Sequence, residues 1–205
     1  LSLKLPVDSD IQIAIRFIEQ SALYYAQVRG LGTLKLNSTR EYIEKYTEEF
    51  YLVDLYYRRT LEAYHELITK ENPIEQTLSS AKRQLDLEYA KIANVLNLEW
   101  LTCVGEKGAW FTETGLKRQE DFYKNESDTS VKQVVIVCDA LRYEVAKELM
   151  QELAKEKHIA TIDAYQAMLP TETKYCKPAL LPHHSLELNG TDMMVDGTML
   201  TTTDQ

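Results

Sequence analysis

Glycine and proline are scarce in this chain, seven and five in 205 residues, which argues against long disordered or low-complexity stretches. Cysteine is scarcer. Cys103, Cys138 and Cys176 lie far apart with no CxxC spacing, which excludes a zinc ribbon and gives no disulfide framework. No apolar run approaches the roughly 20 residues of a membrane span, and no secretory leader is visible, so the expectation is a soluble, cytoplasmic protein. Positive charge is also short. The net charge of −9 leaves no broad basic surface for a nucleic-acid backbone. Phosphate chemistry here would need local positive charge, most simply from bound metal ions.

What is present is core material: 44% hydrophobic and 27% charged residues, within the ordinary range for a globular chain. The chain opens at Leu1 without an initiator methionine and stops at Gln205 just after strand-like sequence, so a piece of a longer polypeptide is expected.

The first half reads as helices. Asp8 or Ser9 can cap a helix from about Ile11, whose apolar face would be Ile11, Ile15, Ile18, Ala22, Tyr25 and Val28, with Gly30 ending it. Ser38 and Glu41 form a capping box ahead of a seam of Ile43, Tyr46, Phe50, Val53, Tyr57, Leu61, Tyr64 and Ile68. Asn72-Pro73 resets the chain into a third helix with Ile74, Leu78, Ala81, Leu85, Tyr89, Ile92 and Leu96 inward. Short connections predict a side-by-side bundle. Thirteen tyrosines, dense over 24–64, could stack on bases, but tyrosines on a helical seam more commonly bury rings and point hydroxyls to the rim. The run Tyr56-Tyr57-Arg58-Arg59 could touch an anion or be plain surface. Periodicity fades over 100–126, where Trp100, Trp110, Phe111, Phe122 and Tyr123 suggest a segment folded over the bundle or bridging onward.

The polar, turn-rich 125–130, NESDTS, is the best linker. The expected organisation is a helical domain over 1–125, a linker over 126–130 and a second domain over 131–205. Residues 134–137 are a β-branched run suited to a buried parallel strand. A helix follows over 144–155 with Val145, Leu149 and Leu153 inward, and a second strand over 159–167 would complete a βαβ unit. A helix from Thr173, limited by Pro178, and hairpin material over 186–200 with Asn189-Gly190 and Asp196-Gly197 close the chain.

Ligands of open α/β sheets collect outside the carboxyl ends of strands. Asp139 ends the first predicted strand, and the PTET loop with Thr171 and Thr173 ends the second. A carboxylate there suits a divalent cation, and a hydroxyl beside that cation loses its proton more easily. Backbone N–H groups at the start of the following helix would favour a phosphoryl group. Equally, Asp139 could be a helix cap, Thr171 another cap and Thr173 a surface residue. His183 and His184 are adjacent and read as loop rather than ligands. His65 and His158 have no convergent partners, and Arg142 reads as pairing with a neighbouring acid.

Two motifs here carry a family resemblance. VVIVCDALRYEVAKEL resembles the start of the PglZ domain of the alkaline phosphatase superfamily, and MLPTETKYCKPALLP resembles that domain's nucleophile loop. FYLVDLYYRRTLEAY and the later LNLEW…W…Q..FY pattern are similar to the region that precedes it in PglZ of bacteriophage-exclusion (BREX) systems. The resemblance implies an N-terminal helical bundle followed by the first part of an α/β core with a mostly parallel sheet. It implies a metal-dependent phosphatase or phosphodiesterase of BREX anti-phage defence, with Asp139 a metal ligand and Thr173 nucleophile and metal contact. Thr173 ranks before Thr171 because the superfamily pattern uses the second hydroxyl of Pro-Thr-x-Thr. The implied cofactors are two divalent metal ions, zinc first among them, with the remaining ligands beyond Gln205. The implied partners are other BREX proteins and a phosphate-ester substrate, nucleic acid or nucleotide included, with no membrane. The fragment alone is expected to be inactive. The alternative is a non-catalytic scaffold or interaction module of a defence complex. The run Arg142-Tyr143-Glu144 belongs to the resemblance without an assigned role.

Overall fold

The computed structural model describes residues 9–68, 74–107, 114–128 and 130–199. These fall into two compact units. One takes the described parts of Leu1–Glu113 together with Tyr143–Glu148, and the other takes Thr114–Arg142 with Leu149–Gln205.

The first unit is helical. Helix α1 (Ser9–Gly30) packs along α3 (Tyr51–Ile68), and α4 (Ile74–Lys107) lies against α3 in turn. The capping positions Asp8, Asn72 and Pro73, and the aromatics Trp110 and Phe111, lie outside the described residues. Helix α2 (Thr39–Lys45) begins as the capping box predicts: Ser38 Oγ accepts from the Glu41 N–H at 3.2 Å, and Glu41 reaches back to the Asn37 N–H at 2.9 Å. The predicted single helix is interrupted by a π-helical turn, Tyr46–Phe50, which joins α2 to α3.

Phe50 and Val53 are buried as predicted, but further on Thr60, Ala63 and Leu67 are buried, each one residue before the projected position, while Ile68 is exposed. Helix α1 shows the same kind of correction. Ile11, Ile15 and Ile18 face solvent, and Ile13, Ala14, Phe17 and Tyr24 are buried. This helix carries two apolar stripes, and packing with Ala63 and Leu67 of α3 selects the second. Helix α4 keeps its predicted face, with Leu85 buried and Tyr89 and Ile92 packed beside it. It runs past the expected fading point to Lys107, burying Cys103 and Val104.

The tyrosines lie in these seams. Tyr24 is fully buried, and Tyr57 stacks on Tyr89 with ring centroids 3.7 Å apart. Tyr57 donates to Asp86 at 3.0 Å, while Tyr46 and Tyr89 donate to the two oxygens of Asp54 at 2.7 and 2.8 Å. Burial, then the hydrogen bond to Asp86, pushes the Tyr57 phenol up to about 12.

The same unit includes the first half of α6 (Tyr143–Lys155). Glu144 is fully buried, with Arg58 Nε 3.7 Å from its Oε1. Arg58 also pairs with Glu148 and Glu62, and Arg59 Nε donates to Glu148 at 2.7 Å. The Tyr143 ring sits 5.6 Å from that of Tyr51, with Lys147 Nζ over both. The predicted inward face of this helix is corrected. Leu149 is 50% exposed, whereas a glutamate is buried. The Arg58 and Arg59 guanidiniums turn the acidic stripe inward, and no sheet covers the leucine stripe among the described residues.

In the second unit, β1 (Lys117–Arg118) pairs in parallel with β2 (Tyr165–Gln166). A short 3-10 turn, Gln119–Asp121, leads into α5 (Phe122–Glu126). The βαβ unit predicted around α6 is not formed among the described residues. Residues 134–137 are not in a strand, and Val134 and Ile136 are 78% and 80% exposed. Only Tyr165–Gln166 of the second predicted strand is paired. A buried strand needs hydrogen-bonded neighbours on both sides, and this run has none among the described residues. Helix α7 (Thr173–Ala179) carries Pro178 within it. The hairpin material forms an antiparallel sheet of β3 (Leu186–Asn189), β4 (Asp192–Val195) and β5 (Thr198–Met199), turning at Gly190 and Gly197, both with positive φ. No described helix is long and apolar enough to cross a membrane.

Candidate active site

The two polar side chains singled out in the sequence meet. Thr173 Oγ1 donates to Asp139 Oδ2 at 3.1 Å, across 34 residues of chain. The other Asp139 oxygen accepts from the N–H of Ala140 at 3.0 Å. Ala140 has φ of 56°, so the chain turns sharply directly after the carboxylate. Both side chains line a cavity of about 180 Å³ with Gln119, Val137, Cys138, Cys176, Lys177 and Leu180. Asp139, Thr171 and Thr173 are all exposed, and Thr171 is not among the cavity's lining residues.

Thr173 is placed by the helix it begins. Tyr175 is buried and donates to the Thr191 carbonyl at 3.0 Å, and Pro178 and Ala179 are buried beside it. That buried face seats α7 against β4, where Met193 is buried. The opposite face carries Thr173 and, one turn later, Lys177 into the cavity. Ahead of the helix, Gln119 Oε1 accepts from the Met168 N–H at 3.0 Å, and Gln119 Nε2 donates to the Cys176 carbonyl at 3.1 Å. Burial pushes the Cys176 thiol above its ordinary value.

Neither Gln119 nor Lys177 is singled out in the sequence reading. Gln119 is the glutamine of the Q..FY pattern, and Lys177 follows Thr173 at helical spacing, so both signals were present. The histidines stay apart. His183 Nδ1 lies 2.7 Å from the Leu181 carbonyl oxygen, and the His184 N–H donates to Asp196 at 2.7 Å. His65 and His158 are exposed. Among the described residues no three His, Cys, Asp or Glu side chains are grouped to hold a metal ion. Asp139 and Thr173 offer two oxygen donors of the kind hard divalent cations take, and these amount to part of a ligand set.

Residues 120–205 match the family model described as the BREX system PglZ alkaline phosphatase-like domain. The chain is 29% identical over 184 residues to a protein named alkaline phosphatase-like protein PglZ from Bacillus cereus (strain H3081.97), covering 83% of this chain and 21% of that protein. It is 37% identical over 93 residues to alkaline phosphatase-like protein BrxZ from Escherichia coli O9:H4 (strain HS), covering 40% of this chain and 11% of that protein. The chain thus spans about a fifth or less of the length of these relatives. No solved structure matches it significantly. Residues 120–205 are therefore the portion of this chain that is similar to the PglZ domain.

Proposed function

We propose that Asp139 and Thr173 form part of the active site of a metal-dependent phosphoric ester hydrolase, a phosphatase or phosphodiesterase of BREX anti-phage defence. The supporting observation is the 3.1 Å hydrogen bond between Thr173 Oγ1 and Asp139 Oδ2 at the edge of a shared cavity. In this reading Asp139 and Thr173 hold divalent metal, with zinc the first candidate. When bound, such an ion supplies Lewis-acid stabilisation of a deprotonated hydroxyl and of charge gathering on a phosphoryl group.

The chain's own residues do the rest. Asp139 orients the Thr173 hydroxyl by accepting its proton in a hydrogen bond. The Thr173 oxygen, its proton passing to solvent, forms a bond to phosphorus as the ester oxygen departs and takes up a proton from water. Water then cleaves the phosphothreonine to release phosphate from a monoester substrate or a phosphate monoester from a diester. Lys177, lining the same cavity, offers a cation to a phosphoryl oxygen. Because the described residues gather only part of a ligand set, the 205-residue chain alone is expected not to turn over.

The test is hydrolysis of an aryl phosphodiester, with and without divalent metal, by a full-length polypeptide carrying this segment. Turnover should require the metal, and Thr173→Ala and Asp139→Ala should each lower it by about a hundredfold or more. Wild-type turnover in both variants sinks the proposal.

A second reading, an assembly module for other BREX proteins, draws on the exposed apolar residues Val134 and Ile136. Co-purification of this chain with those proteins supports it, and no retained partner counts against it.

A further inference from the structure

We propose that Gln119 is a positioning residue that sets where Thr173 stands, an inference that rests on the reading of Thr173 as nucleophile. Thr173 sits at the end of the loop that joins β2 to α7. One carboxamide holds both ends of that loop. Its oxygen accepts from Met168 N–H at 3.0 Å on the entering side, and its nitrogen donates to the Cys176 carbonyl at 3.1 Å on the leaving side. These partners are 49 and 57 residues distant in sequence.

Both partners are backbone groups, so the bonds fix the path of the loop whatever its side chains. The carbonyl of Cys176 suits this role because helix α7 is tightening there. The Leu180 N–H, which a regular helix would send to the Cys176 carbonyl, goes to Lys177 O at 3.1 Å instead. Gln119 is itself held. It directly follows β1, whose parallel register pairs Arg118 with Gln166, two residues before Met168. Few side chains can substitute. Glutamate keeps the acceptor and loses the donor, methionine keeps the length and loses both, and asparagine is a methylene too short. Gln119 also lines the cavity with Asp139 and Thr173, but it acts on Thr173 through the loop.

The variants are Gln119→Met, Gln119→Ala and Gln119→Glu. In the 205-residue chain, amide exchange at Met168 and iodoacetamide alkylation at Cys176 report the two ends of the clamp. Buried Cys103, in the helical unit, reports that the fold is intact. Gln119→Met and Gln119→Ala should each speed both readouts by about tenfold and leave Cys103 unchanged. Gln119→Glu should keep Met168 slow while Cys176 quickens, a split that general loosening does not produce. In a full-length polypeptide, Gln119→Met should lower kcat by about tenfold with KM unchanged. Unchanged Met168 and Cys176 readouts overturn the clamp, and a released loop with wild-type kcat overturns the positioning role. Turnover that is insensitive to Thr173→Ala defeats the nucleophile reading instead, while altered Met168 and Cys176 readouts still uphold the clamp.

Discussion

Asp196 shows how one side chain can hold a turn together. Its carboxylate accepts from the backbone N–H groups of Ser185 at 2.8 Å and His184 at 2.7 Å, tying the start of β3 to the turn after β4. Those two bonds, Ser185 first, hold its carboxyl below the ordinary value of 3.8, with the nearby His184 and His183 adding attraction. A depressed carboxyl contributes stability that is complete above the unfolded value and is lost as pH falls through the folded one. Amide protection at Ser185 and His184, measured relative to the intrinsic exchange rate at each pH, should therefore fall as the solution is acidified below 3.8. Asp196→Asn should exchange faster at neutral pH and lose that acid dependence. Wild-type exchange in the variant would show that the turn stands without the carboxylate. The contact was not legible beforehand, because Asp196-Gly197 reads only as a hairpin turn and says nothing about which amides lie across it.

At the scale of elements, helix ends were legible and helix faces were not. The Ser38–Glu41 box is local chemistry, and the structure forms it. Which stripes of α1 and α3 are buried depends on how the two helices meet, Ile13, Ala14 and Phe17 packing with Ala63 and Leu67. The start of α6 is the sharpest case. The Tyr56-Tyr57-Arg58-Arg59 run read as an anion contact or plain surface and the Arg142-Tyr143-Glu144 run had no assigned role, and the structure joins them through Arg58 and Glu144. A fully buried carboxylate is costly to strip of an ion-pair partner. Arg58→Ala should destabilise the helical unit by about 3–5 kcal/mol, measured by urea unfolding of the helical signal. Glu144→Gln in the same background should recover part of that loss, since it removes a buried carboxylate that has lost a partner. A loss below about 1 kcal/mol for Arg58→Ala would mean the cluster behaves as an ordinary surface pair.

At the scale of the whole molecule, the apolar run at 134–137 has no cover among the described residues. Val134, Val135 and Ile136 are 78%, 61% and 80% exposed, and Ile159 is fully exposed. Extended apolar backbone with open hydrogen-bonding groups is a template for association. The isolated chain should self-associate with rising concentration despite its net charge of −9, and Ile136→Lys should reduce this in light scattering. A chain that stays monomeric at high concentration would show that the run is covered after all.

The sequence by itself determined the helical first half, the capping box, the α7 start and the Asn-Gly and Asp-Gly turns, and it singled out Asp139 and Thr173 as candidates. Each of these rests on side-chain chemistry within a few residues or on a contiguous motif. Only the tertiary structure decided that the Thr173 hydroxyl meets Asp139, that Gln119 bonds to both Met168 and Cys176, and that Glu144 is buried. Those contacts join residues 34 to 86 positions apart, and a pairing over that distance depends on how helices and turns pack. The predicted βαβ strands differ for the same reason. An apolar run records a propensity for burial, and burial comes only when hydrogen-bonded neighbours arrive to satisfy its backbone.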